Sequence, residues 1–142
     1  TEMALDLDIA PTILDIAGIA APAQMQGKSL VPFFRGADPP AWRKDWFYEY
    51  FEYPDFEHVP PQHGIRTERY KLIHYYVKPE AFELYDLQED PGERHNLYGD
   101  PKYEALIHQL RARMEELRKE TGDTGKYDVT QAYIEASPRQ AK

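Results

Sequence analysis

Cysteine is absent from the 142 residues of this chain, and serine is scarce. The absence of cysteine excludes disulfide bonds, thiolate metal sites and a cysteine nucleophile within these residues. The serines are Ser29 and Ser137, and neither lies in the G-x-S-x-G pattern that exposes a nucleophilic serine in many hydrolases. The chain therefore contains no recognisable thiol or serine nucleophile.

Positively charged residues and long apolar runs are also scarce. The 17 lysines and arginines are outnumbered by 25 aspartates and glutamates, which gives a net charge of −8. This balance disfavours nucleic acid as a partner, because phosphate contacts need a basic surface, and it supplies no polybasic patch for an anionic membrane. No apolar run approaches the ~20 residues of a membrane-spanning helix. The residues themselves leave the cellular compartment open.

Aromatic and apolar residues are well represented. They make up 13% and 42% of the chain, which is typical of a folded domain and not of a disordered segment. The length suits one domain with its own core. Twelve prolines and eight glycines predict many turns between short elements.

The pattern of apolar residues predicts a small sheet in the middle of the chain. Strands are expected at 46–53, 64–69, 70–77 and 82–87, with Glu68-Arg69 as a tight connection between the second and third. Asp90-Pro91-Gly92-Glu93 has the composition of a β-turn and closes the last strand. Residues 54–63, with three prolines and two histidines, are predicted to form a loop.

One long helix follows the predicted sheet. Asp100 is its expected cap, Pro101 takes the first helical position, and Gly122 ends it. Its apolar residues form one continuous stripe: Tyr103, Leu106, Ile107, Leu110, Met114 and Leu117. The predicted fold class is therefore α+β, with about four antiparallel strands packed by one long C-terminal helix. An irregular tail is expected over residues 123–142.

A shorter helix is predicted near the N-terminus, over residues 6–17. Asp6 or Asp8 is its expected cap and Gly18 its stop signal. Four apolar residues share the spacing of one buried face: Ile9, Ile13, Ile16 and Ala17. A single helical turn is expected at 29–34. The N-terminal helix looks like an edge of something larger, so we expect self-association through its apolar surface, or partial disorder of residues 1–20.

Familiar ligand-binding motifs are incomplete. Residues 27–29 (Gly-Lys-Ser) resemble the end of a phosphate-binding loop, but Pro22 occupies the position of the required first glycine. The acids at 83–93 lack the order of a calcium loop. The histidines are His58, His63, His74, His95 and His108. None has zinc-ligand spacing, so the sequence predicts no catalytic or metal-binding residue in this chain.

Four segments in a fixed order nevertheless resemble one known family. They are LDIAPTILDIAGI at 7–19, MQGKSLVP at 25–32, GIRTERYKLI at 64–73, and ELYDL at 83–87 followed by DPGE at 90–93 and NL at 96–97. Together they are similar to the C-terminal part of type I, formylglycine-dependent sulfatases in the alkaline phosphatase superfamily. The likeness implies that residues 1–40 are the tail end of the catalytic domain and 41–122 the C-terminal subdomain.

The resemblance also implies what this chain lacks. In the family the nucleophile is a formylglycine made from the first residue of C/S-x-P-S/A-R, and calcium is held by acids elsewhere in the large domain. Neither motif matches any segment here, so no catalytic or metal residue is carried over. The resemblance implies a supporting fragment that is inactive alone, has the N-terminal catalytic domain as its partner, and belongs to a periplasmic or secreted parent.

The resemblance gives one hypothesis for a substrate-binding site. Loops of the C-terminal sheet reach the substrate end of the cleft in this superfamily, and the loop before Gly64 is the candidate here. His63, Gln62 and Arg66 are the residues expected to contact the sugar or sulfate, since a cation suits an anionic substrate. Two alternatives remain open at this stage. One is the equivalent module of a phosphodiesterase or phosphonate hydrolase, and the other is a stand-alone carbohydrate or protein interaction domain that uses the aromatics at 46–53.

Overall fold

A computed structural model describes residues 2–37, 39–51, 59–126 and 128–136. The chain divides into two compact units, Thr1–Lys44 and Asp45–Lys142. The division falls slightly after the expected boundary at residue 40. Among the described residues, no helix combines the length and the apolar character needed to cross a membrane.

The first unit contains two short α-helices. A 3-10 turn at Asp6–Asp8 leads into α1 (Ile9–Ile16), and α2 is a single turn (Val31–Phe34). The prediction of a capping side chain at the start of α1 is wrong: no side chain caps it. The Asp8 carboxylate is instead buried and accepts hydrogen bonds from Arg43 and from the backbone N–H groups of Leu5 and Lys28.

The predicted buried face of α1 is also wrong for this chain. Ile13 and Ile16 are 60% and 68% exposed, and Ile9 is exposed as well. The buried residues of α1 are Pro11 and Thr12. The Thr12 hydroxyl donates to the Asp8 carbonyl and accepts from the Leu30 N–H, so the inner side of α1 is polar and its isoleucines point outward.

The second unit is built on a four-stranded antiparallel sheet, as predicted. Its strands are β1 (Asp45–Tyr50), β2 (Gln62–Thr67), β3 (Tyr70–Tyr75) and β4 (Ala81–Asp86), and neighbours along the chain are neighbours in the sheet. The tight connection at Glu68-Arg69 is confirmed. The later part of the strand predicted at 46–53 and most of the loop predicted at 54–63, including His58, lie outside the described residues.

The predicted long helix covers one face of this sheet. A 3-10 turn at Pro101–Tyr103 opens it, with the Asp100 carboxylate accepting from the Lys102 N–H, and α3 (Glu104–Glu120) continues it. Ile65, Leu72 and Leu84 form one row across β2, β3 and β4 and are fully buried. They pack with the stripe of α3 residues that the sequence predicts: Ile107, Leu110, Met114 and Leu117.

The tail is less irregular than expected, because residues Gln131–Ala136 form α4. Thr130 begins it, with its hydroxyl accepting from the Tyr133 N–H. Ile134 is buried, and the Gln131 side chain accepts from the Lys78 N–H at 3.0 Å. Tertiary contacts therefore hold a helix that is too short and too weakly periodic to be recognised from its sequence.

The register assigns side chains to two opposite faces of the sheet. The helix face, packed by α3, contains the rows Phe47–Ile65–Leu72–Leu84 and Glu49–His63–His74–Phe82. The tyrosine face contains the rows Trp46–Arg66–Lys71–Tyr85, Tyr48–Gly64–Ile73–Glu83 and Tyr50–Gln62–Tyr75–Ala81. On the tyrosine face, position 64 has room only for glycine, because a Cβ at this position would lie 2.3 Å from Cζ of Tyr48.

Candidate functional site

The three predicted substrate-binding residues lie in β2, not in a loop. The prediction that Gln62 and His63 precede the strand is wrong: β2 begins at Gln62, directly after buried Pro61. A proline is compatible with this position because the first residues of a strand tolerate a missing N–H. Since side chains alternate along a strand, Gln62 and Arg66 share the tyrosine face and His63 points to the helix face.

Arg66 lies on the tyrosine face of the sheet. Within the part of the chain that the structure describes, its guanidinium has no carboxylate partner, and it donates a hydrogen bond to the Thr67 carbonyl. The neighbouring cation, Lys71, pairs with Glu93 at 2.6 Å. Among the described residues, Arg66 is therefore a cation on this face that is available to an anionic ligand.

Two tyrosine hydroxyls bind the Glu83 carboxylate on the same face. Glu83 accepts hydrogen bonds from Tyr75, at 3.1 Å, and from Tyr85. Burial, together with the negative charge of Glu83, raises the pKa of both phenols to about 12. Burial likewise raises the pKa of Tyr48. All three remain protonated at neutral pH, so this face offers neutral hydroxyls beside Arg66.

His63 occupies a closed aromatic environment on the helix face. It is 3% exposed, and its ring stacks on Tyr76 with centroids 4.1 Å apart. Phe47 and His74 flank it at 5.9 and 5.8 Å. Among the described residues, neither ring nitrogen has a hydrogen-bond partner.

The electrostatics keep His63 neutral. Burial and then the positive charge of Arg118 lower the pKa of His63 to about 4, although Asp128 acts in the opposite direction. Nε2 lies 3.7 Å from Oδ1 of Asp128, which is too long for a hydrogen bond. At neutral pH His63 is therefore an uncharged imidazole with an unused lone pair.

Carboxylates converge on this imidazole from two further segments. Glu49 pairs with His63 across β1 and β2, and Asp128 arrives from the segment after α3. One ligand atom from each of the three residues lies within 4.8 Å of the other two. Burial and the charges of Asp123 and Asp128 raise the pKa of Glu49, which shows that the acids repel one another.

Arg118 is the cation that pairs with this group of acids among the described residues, and it only partly offsets their charge. Arg118 donates to Asp123 at 2.6 Å and to Oδ2 of Asp128 at 3.4 Å. Oδ1 of Asp128 is left facing His63. Sequence reasoning missed the contributions of Glu49 and Asp128, because neither is near His63 in the chain. The one available signal was strand alternation, which places a polar residue at position 49 among aromatic neighbours.

The other motifs singled out in the sequence have structural roles. The Lys28 ammonium donates to the Ala41 carbonyl at 3.0 Å, and the Ser29 hydroxyl accepts from the Val31 N–H at the start of α2. Among the acids at 83–93, Asp86 pairs with Arg69 at 2.7 Å, and Asp90 accepts from the Arg94 and His95 N–H groups. The segment at 27–29 is thus an irregular stretch that leads into α2, and the acids shape a hairpin.

Comparisons with known proteins agree with the sequence resemblance. The chain is 39% identical over 123 residues to an N-acetylglucosamine-6-O-sulfatase, and 38% identical over 137 residues to a Delta 4,5-hexuronate-2-O-sulfatase, both from Bacteroides thetaiotaomicron. These matches cover 85% and 94% of this chain, but 22% and 26% of the relatives. The chain therefore spans about a quarter of the length of these curated relatives.

A solved structure and a family profile also match this chain. The structure, described as a complex with its substrate D-glucosamine-2-N,6-O-disulfate, matches with a TM-score of 0.77 and 39% identity over 82% of this chain and 24% of its own. Residues 1–120 match the family described as N-sulphoglucosamine sulphohydrolase, C-terminal. The relatives are sulfatases, which in general use calcium and formylglycine in the catalytic domain. The chain belongs to this family of C-terminal sulfatase domains, within the alkaline phosphatase superfamily.

Proposed function

We propose that this chain works as the C-terminal part of a sulfate ester hydrolase, in which it supports a catalytic domain supplied by a longer chain. The observation that carries the proposal is the family match over residues 1–120, together with relatives of which it spans about a quarter. The calcium and the formylglycine belong in that catalytic domain. The residues present here do not fit the formylglycine role, since no C/S-x-P-S/A-R segment occurs in the sequence.

The exposed apolar face of α1 favours the proposal that a partner domain covers this helix. Ile9, Ile13 and Ile16 are all more than half exposed on one short helix. A cluster of exposed large apolar side chains marks an interaction surface more often than scattered single residues do. We assign this surface, together with Leu7 and Ile19, to the missing catalytic domain.

A substitution in the natural full-length protein tests that assignment. Ile13→Asp should lower the Tm and the yield of soluble protein, because a buried unpaired carboxylate is strongly unfavourable. Tyr133→Asp is the matched control, since Tyr133 is also large and 54% exposed but lies on α4. Equal tolerance of the two substitutions would contradict a partner on α1.

Gln62 and Arg66 are proposed to face the substrate. They lie on the same face of β2, and Arg66 has no carboxylate partner among the described residues. A guanidinium binds a sulfate group through paired charge-assisted hydrogen bonds. A sulfated amino sugar, as in the structural relative, is the substrate class that fits. His63 points to the opposite face and is buried, so our proposal leaves it out of this contact.

The test is steady-state kinetics of the full-length enzyme on a sulfated glucosamine. Loss of a charge-assisted hydrogen bond worth ~1.5–3 kcal/mol predicts that Arg66→Ala lowers kcat/KM by roughly 10- to 150-fold, with Arg66→Lys between it and the wild type. Arg111→Ala removes the same charge from α3, where Arg111 stacks on Phe82, and should have no such effect. Unchanged kcat/KM for Arg66→Ala would exclude the contact. Failure of the natural protein to hydrolyse any sulfate ester would refute the function itself.

A further inference from the structure

The site formed by Glu49, His63 and Asp128 has the composition of a metal centre. It contains one imidazole and two carboxylates from three separate segments: β1, β2 and the stretch after α3. Glu49 and His63 are directly opposed on neighbouring strands, so the backbone ladder itself fixes their spacing. Only the side chain of Asp128 depends on an irregular segment.

A buried polar group normally has a hydrogen-bond partner, and the buried imidazole of His63 has none among the described residues. Both ring nitrogens of His63 are without a hydrogen-bond partner among the described residues, although the side chain is almost completely buried. Leaving such a group unsatisfied costs about 1–3 kcal/mol. Stacking on Tyr76 fixes the plane of the ring, and Nε2 points toward Asp128. A ligand that accepts the Nε2 lone pair would remove this penalty.

The charge of the surroundings favours a cation. Three carboxylates, those of Glu49, Asp123 and Asp128, face a single cation among the described residues, the Arg118 guanidinium, so negative charge is in excess. Arg118 holds Oδ2 of Asp128 and leaves Oδ1 directed at His63, which is how an outer hydrogen bond orients a ligating carboxylate. His74 approaches the His63 ring but is engaged with Glu80 at 2.7 Å.

We propose that Glu49, His63 and Asp128 bind a divalent transition-metal ion, with zinc as the ion that the ligand set fits best. Zinc takes imidazole nitrogen and carboxylate oxygen at about 2.0–2.2 Å, so tetrahedral ligands lie about 3.4 Å apart. The observed separation of 3.7 Å between Nε2 and Oδ1 needs a small contraction. Glu49 is exposed and can close the remaining distance. Calcium and magnesium prefer sites made entirely of oxygen.

The ion would act as a staple between the sheet and the segment after α3. Asp128 lies next to Val129, whose N–H donates to the Tyr76 hydroxyl at 3.3 Å, and α4 follows. The segment is also held by Arg118, by the hydrogen bond from the Lys78 N–H to the Gln131 side chain and by the packing of Ile134. A metal bond from Asp128 to His63 would join it to the centre of β2.

The experiment is a zinc titration of the metal-free chain by calorimetry, followed by thermal unfolding with and without zinc. One equivalent of zinc should bind and raise the Tm. His63→Gln should weaken zinc affinity by at least a hundredfold, and Glu49→Gln by at least tenfold, since even substitutions beyond the ligands typically cost 10- to 100-fold. His95→Gln is the matched control, because His95 is 80% exposed and outside the site.

Four outcomes would overturn the proposal. They are the absence of stoichiometric zinc binding, equal affinity in wild type and His63→Gln, loss of affinity in His95→Gln, and calcium binding more tightly than zinc. If His63→Gln fails to fold by circular dichroism, Asp128→Asn decides, because Asp128 is partly exposed and its replacement leaves the core intact. Zinc X-ray absorption should show a nitrogen and oxygen shell with one imidazole, and a spectrum without imidazole would also refute the assignment.

Discussion

The contact between Gly64 and Tyr48 gives a sharp test of the sheet register. The two residues are directly opposed in β2 and β1, and the Tyr48 ring lies across the glycine. An alanine Cβ at position 64 would be 2.3 Å from Cζ of Tyr48, whereas carbon atoms in contact are about 3.5–4.0 Å apart. The ring would have to move by at least about 1.2 Å, the difference between 3.5 and 2.3.

Gly64→Ala should therefore destabilise the chain by roughly 1–3 kcal/mol through overpacking. The stability change caused by Gly64→Ala should reverse its sign when the Tyr48 ring is absent. In a Tyr48→Val background, which keeps a β-favouring residue in β1, the same substitution should stabilise by about 0.5–1 kcal/mol, because glycine weakens a strand relative to alanine. The coupling energy between the two positions is then about 1.5 kcal/mol or more.

Urea unfolding of the four chains of this double-mutant cycle, followed by circular dichroism, measures the coupling. The denaturant slope should stay constant, so that the midpoint reports stability. If Gly64→Ala has the same effect with and without the Tyr48 ring, the two residues are not opposed as described. The assignment of Gln62 and Arg66 to the tyrosine face would fail with them, since it depends on the same register.

Two further predictions concern polar groups that fix loops. Asn96 accepts hydrogen bonds from the Leu84 and Tyr98 N–H groups and donates one to the Phe82 carbonyl. Asn96→Ala should therefore lower the free energy of unfolding, measured in urea, by about 1–3 kcal/mol. Asn96→Asp keeps an acceptor for both N–H groups and should recover most of that loss. Equal losses for the two variants would contradict this role. Burial tends to raise the pKa of Asp8, but hydrogen bonds from Arg43 and two backbone N–H groups hold it below its usual range. Because a lowered folded-state pKa stabilises above the ordinary aspartate pKa of about 3.9, the stability difference between wild type and Asp8→Asn should be full at neutral pH and shrink as the pH falls below that value. A difference that does not shrink between neutral pH and pH 2 would refute it.

The elements that the sequence predicted best are those with complete local signals. α3 has a capping aspartate, a proline in its first turn and one apolar stripe, and its core contacts follow that stripe. β3 follows the short connection at Glu68-Arg69, and β4 is closed by the turn at 90–93. In each case the information lies within a few residues, so no knowledge of the tertiary structure was needed.

The features that sequence reasoning missed all depend on distant contacts. Pro60-Pro61 is a strong loop signal, yet β2 begins immediately after it, because Gln62 and His63 pair with β1 and β3. The α1 isoleucines fit a buried helix face, yet they are exposed in this chain. The pairing of Glu49 with His63 was beyond prediction, because no tight turn sets the register between β1 and β2.

Gln62, His63 and Arg66 are nevertheless linked, because they share one strand. Their side chains leave β2 on opposite faces, so an ion on His63 would restrain the same backbone that presents Gln62 and Arg66. If both proposals hold, His63→Gln in the full-length enzyme should raise KM for a sulfated glucosamine several-fold and leave kcat nearly unchanged, since neither proposal places His63 in contact with the substrate. The substitution is a better probe than a chelator, which would also strip calcium from the catalytic domain. A fall in kcat with constant KM would show that His63 acts on the reaction itself and would refute this coupling through β2.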